Sequence, residues 1–496
     1  MPRRKRVDEV SRELESYLEH EIAGNIARGM SETEARHEAH RKLGNATSIR
    51  EEVYEMNRIW LFDSFWQDFR QGLRQLRRNP GFACAGVTIL AIGIASTTAI
   101  FSIAYGVLLR DLPYDQPERL VSISATLAKF GLPKAGAGPA DYFDWRRDQS
   151  VFKEIALTRT VGNFNLTGDG EPERLQGART TASLFATLRA TPLLGRTFAE
   201  DEQLDPAKAS RVAVLSYRLW QRRFGADPSS VGRKISHNGT STEVIGVMRS
   251  EFQFPTREFE LWTPLYYPPA QLADRGDYGY LCVARLKSGV TTARAQAQMD
   301  TLAGKLAQDY PRTNQNTGVL VAPMLADMTA SVSRPVWVLV AAVGTLFLIG
   351  CVNLANLLLA RAANRSRELS VRAALGATRW RLALQFFAET LPLAFGGVAV
   401  GFAAADGLLR TLIPLLPAAM PRIEEIGLHG PVLMFSSLAA AAATFLVALL
   451  PAVQLRTSLE RGPVARNRLR DALIITEIAA TAVLLGDLWS ADQELR

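Results

Sequence analysis

The chain has 496 residues, with 57 Lys and Arg against 49 Asp and Glu, and a net charge of +8. Its mean hydropathy of +0.02 averages two unlike populations: polar blocks at 1–79 and 110–334, and long runs that hold no charge. Three cysteines, of which only Cys282 falls in a polar block, exclude a disulfide framework. The basic excess sits largely beside the apolar runs, where it sets membrane topology rather than binding nucleic acid.

Residues 8–57 read as helices, with Leu14, Leu18, Ile22 and Ile26 at helical spacing. Ser31 with Glu34 forms a capping-box signature that opens a helix over Ser31–Leu43, and Gly44 with Asn45 closes it. His20, His37 and His40 lie here. His37-Glu38-Ala39-His40 is one residue short of zinc-protease spacing, so a solvated helix face is the reading. Residues 58–81 mix Trp60, Phe62, Phe65, Trp66 and Phe69 with Arg70, Arg74, Arg77 and Arg78, the pattern of an amphipathic helix at a lipid interface.

The apolar runs follow. Between Arg78 and Arg110 lie 31 residues without Asp, Glu, Lys or Arg; between Arg334 and Arg361 lie 26 more, and Gly430–Leu455 is another. A bilayer core of ~30 Å needs ~20 apolar helical residues, because only an internally bonded helix satisfies its backbone in lipid. The predicted spans are 82–109, 335–360, 382–405 and 431–455. Cys84 and Cys351 fall inside them. Small residues Ala95–Ala99 cluster in the first span, where they permit close helix approach. Asn353 and Asn356 share a face of the second, and their amides call for partners on another helix. Glu389 lies in the third, where a carboxylate costs ~2.5–3.5 kcal/mol on insertion scales unless it snorkels or pairs. A fifth stretch, Ala472–Gly486, has 15 residues and is short for a span.

Arginine placement orients the chain. The segment 361–381 holds six arginines against Glu368, and 456–471 holds five against Glu460 and Asp471. Both are expected in the cytoplasm, as is the N-terminus by Arg70–Arg78. Residues 110–334 and the loop 406–430 then lie outside. The 110–334 block reads as α+β, with strands at Leu120–Ser124, Val212–Leu215, Glu243–Val247 and Leu281–Leu286 and helices at Ala140–Trp145 and Ala293–Tyr310. It contains no nucleophile elbow, phosphate loop or metal-ligand cluster. Cys282 reads as a packed core thiol. His237, in His237-Asn238-Gly239, reads as part of a surface turn. The predicted fold is a membrane α-helical bundle of four spans plus a partial fifth, with an α+β extracytoplasmic domain and a small cytoplasmic helical extension at 1–57. No cofactor, metal or catalytic residue is expected.

Residues 365–401, RSRELSVRAALGATRWRLALQFFAETLPLAFGGVAVG, resemble the cytoplasmic loop and third span of the FtsX/MacB permease family. VAVLSYRLWQRRFGADPSSVGRKISHNG (212–239), EVIGVM, ELWTPL and ARLKSGVTTARAQAQM resemble its extracytoplasmic core domain. GMSETEARHEAHRKLGN (29–45) and DFRQGLRQLRRNPGF (68–82) resemble the acidobacterial duplicated orphan permeases, in which a second outer domain and four more spans would follow. The tail GDLWSADQELR (486–496) departs from that pattern, so a member truncated after its first half is expected.

The resemblance implies a transmembrane subunit of an ABC-type export or mechanotransmission system in a bacterial inner membrane, working with a separate ATPase and not itself an enzyme. The cytoplasmic loop 361–381 would dock the ATPase through Arg367, Glu368, Leu369, Arg372, Ala373, Gly376 and Ala377, and Glu368 with Arg372 is spaced i, i+4 for an ion pair. Asn353, Asn356 and Glu389 are expected as polar packing positions between spans. The 456–471 loop would be a second basic cytoplasmic connector, and 472–496 a partial hydrophobic segment with a divergent tail. Further expected partners are membrane lipids and either a second copy or a second permease half, but not nucleic acid. The competing reading is a membrane-anchored sensor without transport activity; an ectoenzyme is the weakest.

Overall fold

The computed structural model describes residues 19–20, 22–43, 65–167, 171–209, 211–268, 275–364, 379–416 and 421–461. The chain forms two compact units. Among the described residues, one gathers those up to Ala95, those within Thr345–Ala404 and those from Met434 onward; the other gathers those within Ser96–Gly344 and Ala405–Leu433.

The second unit is built on one 11-stranded sheet in the order β11-β1-β10-β3-β4-β9-β6-β8-β5, with β2 beside β1 and β7 bridging β3 and β8. The strands are β1 Leu120–Leu127, β2 Leu132–Ala135, β3 Phe152–Thr167, β4 Glu173–Thr180, β5 Pro192–Gly195, β6 Val212–Leu215, β7 Lys234–His237, β8 Thr240–Met248, β9 Phe259–Pro264, β10 Leu281–Leu286 and β11 Thr317–Pro323. All four sequence-predicted strands are present, as are both helices, at Pro139–Asp148 and Thr292–Asp309. Most neighbours are antiparallel; β4 with β9 and β6 with β8 are parallel.

Alternation along the strands divides the core. On one face Val121, Ile123, Cys282 and Val321 pack with Ala295, Met299 and Leu306 of the helix Thr292–Asp309. Leu120, Ala156, Val283 and Trp262 belong to a second cluster with Leu184 and Leu188 of the helix Ser183–Leu188. Cys282 is buried, which pushes its thiol pKa up and makes it a core residue. The helix Tyr217–Phe224 is set by local chemistry: the Ser216 hydroxyl accepts from the Leu219 amide at 3.0 Å, and Gly225 closes it at φ 61°. Its Leu219, Trp220 and Phe224 cover β6, β8 and β9 in a third cluster. Each fully buried large side chain of this kind contributes roughly 1.5–3 kcal/mol of burial free energy.

Four helices among the described residues are long and apolar enough to cross a membrane: Pro80–Leu109, Met324–Arg361, Leu384–Leu415 and Gly430–Leu449. The helix of the second span is longer than its charge-free run. It begins at Met324, immediately after β11, and reaches Asn364. At 41 residues it measures about 60 Å, about twice a hydrocarbon core. The third, Arg379–Leu412, likewise runs past the predicted 405 and includes Pro392. Helical propensity does not stop at the lipid boundary, so charge-free runs understate helix length.

In the first unit the helices of spans one and three meet through glycine. Gly397 and Gly401 form a G-x-x-x-G spacing; a Cβ would lie 2.6 Å from Leu90 Cβ at Gly397 and 2.8 Å from Ile94 Cγ2 at Gly401. Leu90 and Ile94 share a buried cluster with Leu354, Ala355 and Leu358 of the second span and Ala440 and Val447 of the fourth. Lipid gives no hydrophobic drive between helices, so close backbone approach and van der Waals contact supply the attraction.

Half of the predicted capping box is formed: the Ser31 amide donates to Glu34 Oε2 at 3.3 Å and the Ser31 hydroxyl donates to the same oxygen at 2.6 Å, ahead of a helix over Glu32–Leu43. Residues 65–78 are helical as expected. The fifth hydrophobic stretch, 472–486, lies outside the described residues.

His237 corrects its sequence reading. The turn is present, with Asn238 and Gly239 both at positive φ, but His237 is the last residue of β7 and is 6% exposed. It pairs with Leu166 across the ladder and meets the Phe164 ring at 5.0 Å. A turn motif locates the chain reversal, whereas strand alternation decides which way the preceding side chain points. Burial, and second the charge of Arg179, hold the imidazole below its ordinary 6.5. The folded state therefore favours the neutral ring, so this stabilising contribution is complete above pH 6.5 and is lost as pH falls below it.

Two outcomes are expected. Gly401→Leu should destabilise the helix bundle by about 1–3 kcal/mol through overpacking, read as a lower melting temperature in detergent while Gly407→Leu, where the space is open, is tolerated. His237→Phe should flatten the fall in urea midpoint between about pH 7 and about pH 5. An unchanged slope would remove His237 as its source.

Candidate functional site

The polar groups that hold moving parts of a membrane protein together lie where helices leave the lipid. In the second unit such a junction forms around Arg422. The helix Pro80–Ala104 widens into a π-helix over Tyr105–Leu109, closed by the Arg110 amide donating to the Tyr105 carbonyl at 2.8 Å. Single π turns occur mostly within helices at functional positions. Gly106 lies against Glu425, where a Cβ would come within 2.7 Å of the backbone oxygen. Only glycine permits that approach.

Arg422 is held in the left-handed region at φ 59°, and its side chain is 5% exposed. Its guanidinium donates to the carbonyls of Arg110 at 2.5 Å and Asp111 at 2.9 Å, and to the Glu425 carboxylate at 3.1 and 2.6 Å. Arg110 Nε lies 3.6 Å from the same carboxylate. His429 Nε2 lies 2.9 Å from the Glu425 carbonyl oxygen, and the His429 ring packs 5.9 Å from Tyr105. Next to these, Glu424 pairs with Arg257 from the segment between β8 and β9. Beneath the polar layer Ile426 packs with Ala99, Ile103, Val107, Val336 and Leu409, which come from three span helices. One short segment, 422–429, therefore ties together the outer end of the first span, the third span's continuation and the sheet domain. Sequence reading passed over it as an outer loop; the run Arg422-Ile423-Glu424-Glu425, with opposite charges spaced for self-pairing, is the signal that was available.

The first unit has its own polar fastenings. Arg361, at the end of the second span, donates to Gln75 Oε1 at 2.8 Å and lies 4.5 Å over the Phe82 ring. Gly72 lies so near the third span that a Cβ would fall 2.5 Å from the Glu389 carbonyl oxygen. Arg70 covers Trp66, which stacks on Phe69 at 5.4 Å, and Phe69 meets Phe395 at 6.4 Å.

The sequence-predicted positions distribute as follows. Gln385 Nε2 donates to Glu389 Oε1 at 2.9 Å, so Glu389 has a polar partner one turn away on its own helix. Asn353 and Asn356 are half-buried and flank the packed strip Leu354, Ala355 and Leu358. Arg367, Glu368, Leu369, Arg372, Ala373, Gly376 and Ala377 lie outside the described residues. Among the described residues no group of three or more His, Cys, Asp or Glu could hold a metal ion.

This arrangement defines a multi-pass membrane protein with a sheet domain inserted between its first and second apolar helices. Residues 87–302 match the MacB-like periplasmic core domain and residues 340–458 the FtsX-like permease C-terminal domain, in that order. The chain belongs to the FtsX-like and MacB-like ABC permeases, and its sheet domain is of the extracytoplasmic type. It is 24% identical over 217 residues to the uncharacterized ABC transporter permease YknZ of Bacillus subtilis, covering 43% of this chain and 52% of that one. It is 23% identical over 374 residues to the macrolide export ATP-binding/permease protein MacB of Marinobacter nauticus, covering 72% of this chain and 56% of that one. The solved periplasmic region of MacB from Actinobacillus actinomycetemcomitans aligns at 13% identity with a TM-score of 0.33, over 47% of this chain and 98% of that chain. The chain spans about half the length of the curated relatives it matches. Members of this permease class typically work with an ATPase, and this chain matches their permease domains.

The Arg422 junction carries a direct expectation. Arg422→Met leaves two carbonyls without their donor and the Glu425 carboxylate with Arg110 alone, a loss of about 3 kcal/mol for a buried charge pair. Hydrogen exchange of the amides at 105–111 should accelerate about 100-fold, since each 1.4 kcal/mol is a factor of ten. Exchange rates equal to wild type would mean that the π turn holds without Arg422.

Proposed function

We propose that this chain is the permease subunit of an ABC-type export or mechanotransmission system, in which a separate ATPase drives movement of the extracytoplasmic domain. The observation that carries this reading is the order of the two family matches, a periplasmic core domain and then a permease domain, along one chain with four apolar helices. The positive-inside distribution of arginine supports a cytoplasmic N-terminus and cytoplasmic connectors at 361–381 and 456–471, with 110–334 outside a bacterial inner membrane. The relatives named for macrolide export favour an amphipathic cargo.

The connector 361–381 is the docking element for the ATPase. Leu369, Ala373 and Gly376 would present a small apolar strip, and Arg367, Arg372 and Glu368 a charged border, with Ala377 continuing the small-residue side. A groove that accepts Gly376 has no room for a larger side chain, and one that accepts Leu369 has no water for a carboxylate. Asn353, Asn356 and Glu389 act as polar packing positions within the bundle. The motifs at 29–45 and 68–82 favour the duplicated orphan branch, and a second copy related by two-fold symmetry or another permease half is an expected partner.

Co-purification tests the reading. The full chain in detergent should retain an ABC ATPase from its host and stimulate its hydrolysis. Gly376→Glu and Leu369→Asp should each weaken retention at least about tenfold, equivalent to 1.4 kcal/mol, while the protein stays monodisperse. Retention that survives both substitutions would remove the connector as docking element. Ligand-dependent changes in the chain without any ATPase would favour the sensor reading instead.

A further inference from the structure

We propose that a cleft on the outer sheet domain, between β1, β10 and the start of the second span helix, binds an uncharged amphipathic small molecule. The cleft encloses about 300 Å³, the lower end of the range in which proteins hold small ligands. Its floor is the face of β1 that carries Ser122 and Ser124. The alternate residues Val121 and Ile123 point into the cluster beneath the helix Thr292–Asp309, so the serines face the other way. Along that same face Leu120 is covered by the second cluster, but the covering stops before Ser124.

Two features of the lining suit an amphiphile. First, Ser122 and Ser124 line the cleft on this face, 8% and 7% exposed, so their hydroxyls are polar groups within reach of an occupant. A hydroxyl can both donate and accept, so either serine can pair with the hydroxyl or carbonyl end of a ligand. Second, the serines are flanked by apolar side chains left open. Leu320, opposite Ser124 on β11, and Leu281 on β10 are 37% and 44% exposed. Met324 and Met328 from the span helix and Phe254 from the loop after β8 form the walls. Methionine adapts to irregular apolar shapes, as a promiscuous wall requires.

Charge decides the class of occupant. The ionised side chains lining the cleft are Lys134 and Asp327, which pair with each other at 2.6 Å. The pair leaves the lining with no net charge. An anion would have to displace Asp327 and a cation Lys134. A neutral molecule with a hydroxyl or carbonyl end on Ser122 and Ser124, and an aliphatic or aromatic body against Met324, Met328 and Phe254, displaces neither. The site thus selects a freely diffusing neutral amphiphile, independently of the ATPase reading above.

Photolabelling of the full chain in lipid nanodiscs tests this with a diazirine-bearing decanol, followed by peptide mapping. The expected result is labelling of 281–283 and 320–328, reduced about tenfold by Ser124→Leu, equivalent to 1.4 kcal/mol, and kept by Ser124→Thr. The corresponding decanoic acid should label these peptides less. Should Ser124→Leu fail to fold, Met328→Trp narrows the cleft from the opposite wall and should give the same loss. Label confined to span helices, label indifferent to both substitutions, or label obtained only with a lipid-anchored diazirine would each overturn the proposal.

Discussion

The ladder between β1 and β11 is the constraint on which the outer domain depends. The chain leaves the first span near Arg110 and does not return until Met324, yet Val121–Leu127 pairs residue by residue with Pro323–Thr317. Bringing together the ends of so long an insertion costs loop-closure entropy, although that cost grows only slowly with length. Seven antiparallel pairs and the cluster beneath them offset it. As a result β1 begins and β11 ends at the same place in the sheet, and the second span helix starts one residue after β11. An insertion with distant ends could not sit between two sequential helices of one bundle.

The Arg422 junction and the glycine contacts do comparable work by different physics. Around Arg422 the backbone leaves regular helix, and freed carbonyls need donors; one guanidinium supplies two carbonyls and a carboxylate in a fixed fork. Along Gly397 and Gly401 the backbone is satisfied already, and the gain comes from proximity. The first solution is directional and specific to one geometry. The second tolerates small sliding of one helix along another, which suits a bundle read as transmitting motion.

Buried charge within the sheet domain is held in two ways, by carboxylate partners and by backbone carbonyls. Arg275 donates to Asp141 at 2.7 Å and Asp144 at 2.6 Å, with Tyr310 stacked on its guanidinium at 3.5 Å. Burial pushes the Asp141 carboxyl above its ordinary range, against the opposing pull of Asn314 and Arg275. Arg285, fully buried, donates from Nε to the carbonyl of Thr187 at 2.7 Å and from Nη1 to that of Gln116 at 3.2 Å, while its Nη2 has no hydrogen-bond partner among the described residues. Burial, then repulsion from Arg189 and Arg119, lowers its pKa. Such groups add little net stability over apolar replacements, but they fix which loop meets which strand. The loops at 116 and 275 are held in this way, where no regular ladder could hold them.

The four apolar helices, their order, the strands at 212–215 and 281–286 and the helix cap at Ser31 were legible in the sequence, because each rests on short-range physics: charge exclusion from lipid, strand alternation and a local hydrogen bond. The family was legible in the same way, from contiguous motifs. The contacts of Arg422, the Gly397–Leu90 and Gly401–Ile94 approaches, the burial of His237 and the open cleft around Ser124 were not. Each depends on residues far apart in sequence, such as Arg422 with Arg110 and Ser124 with Leu320. Local pattern states what a side chain prefers, whereas the sheet order and helix packing decide what it meets.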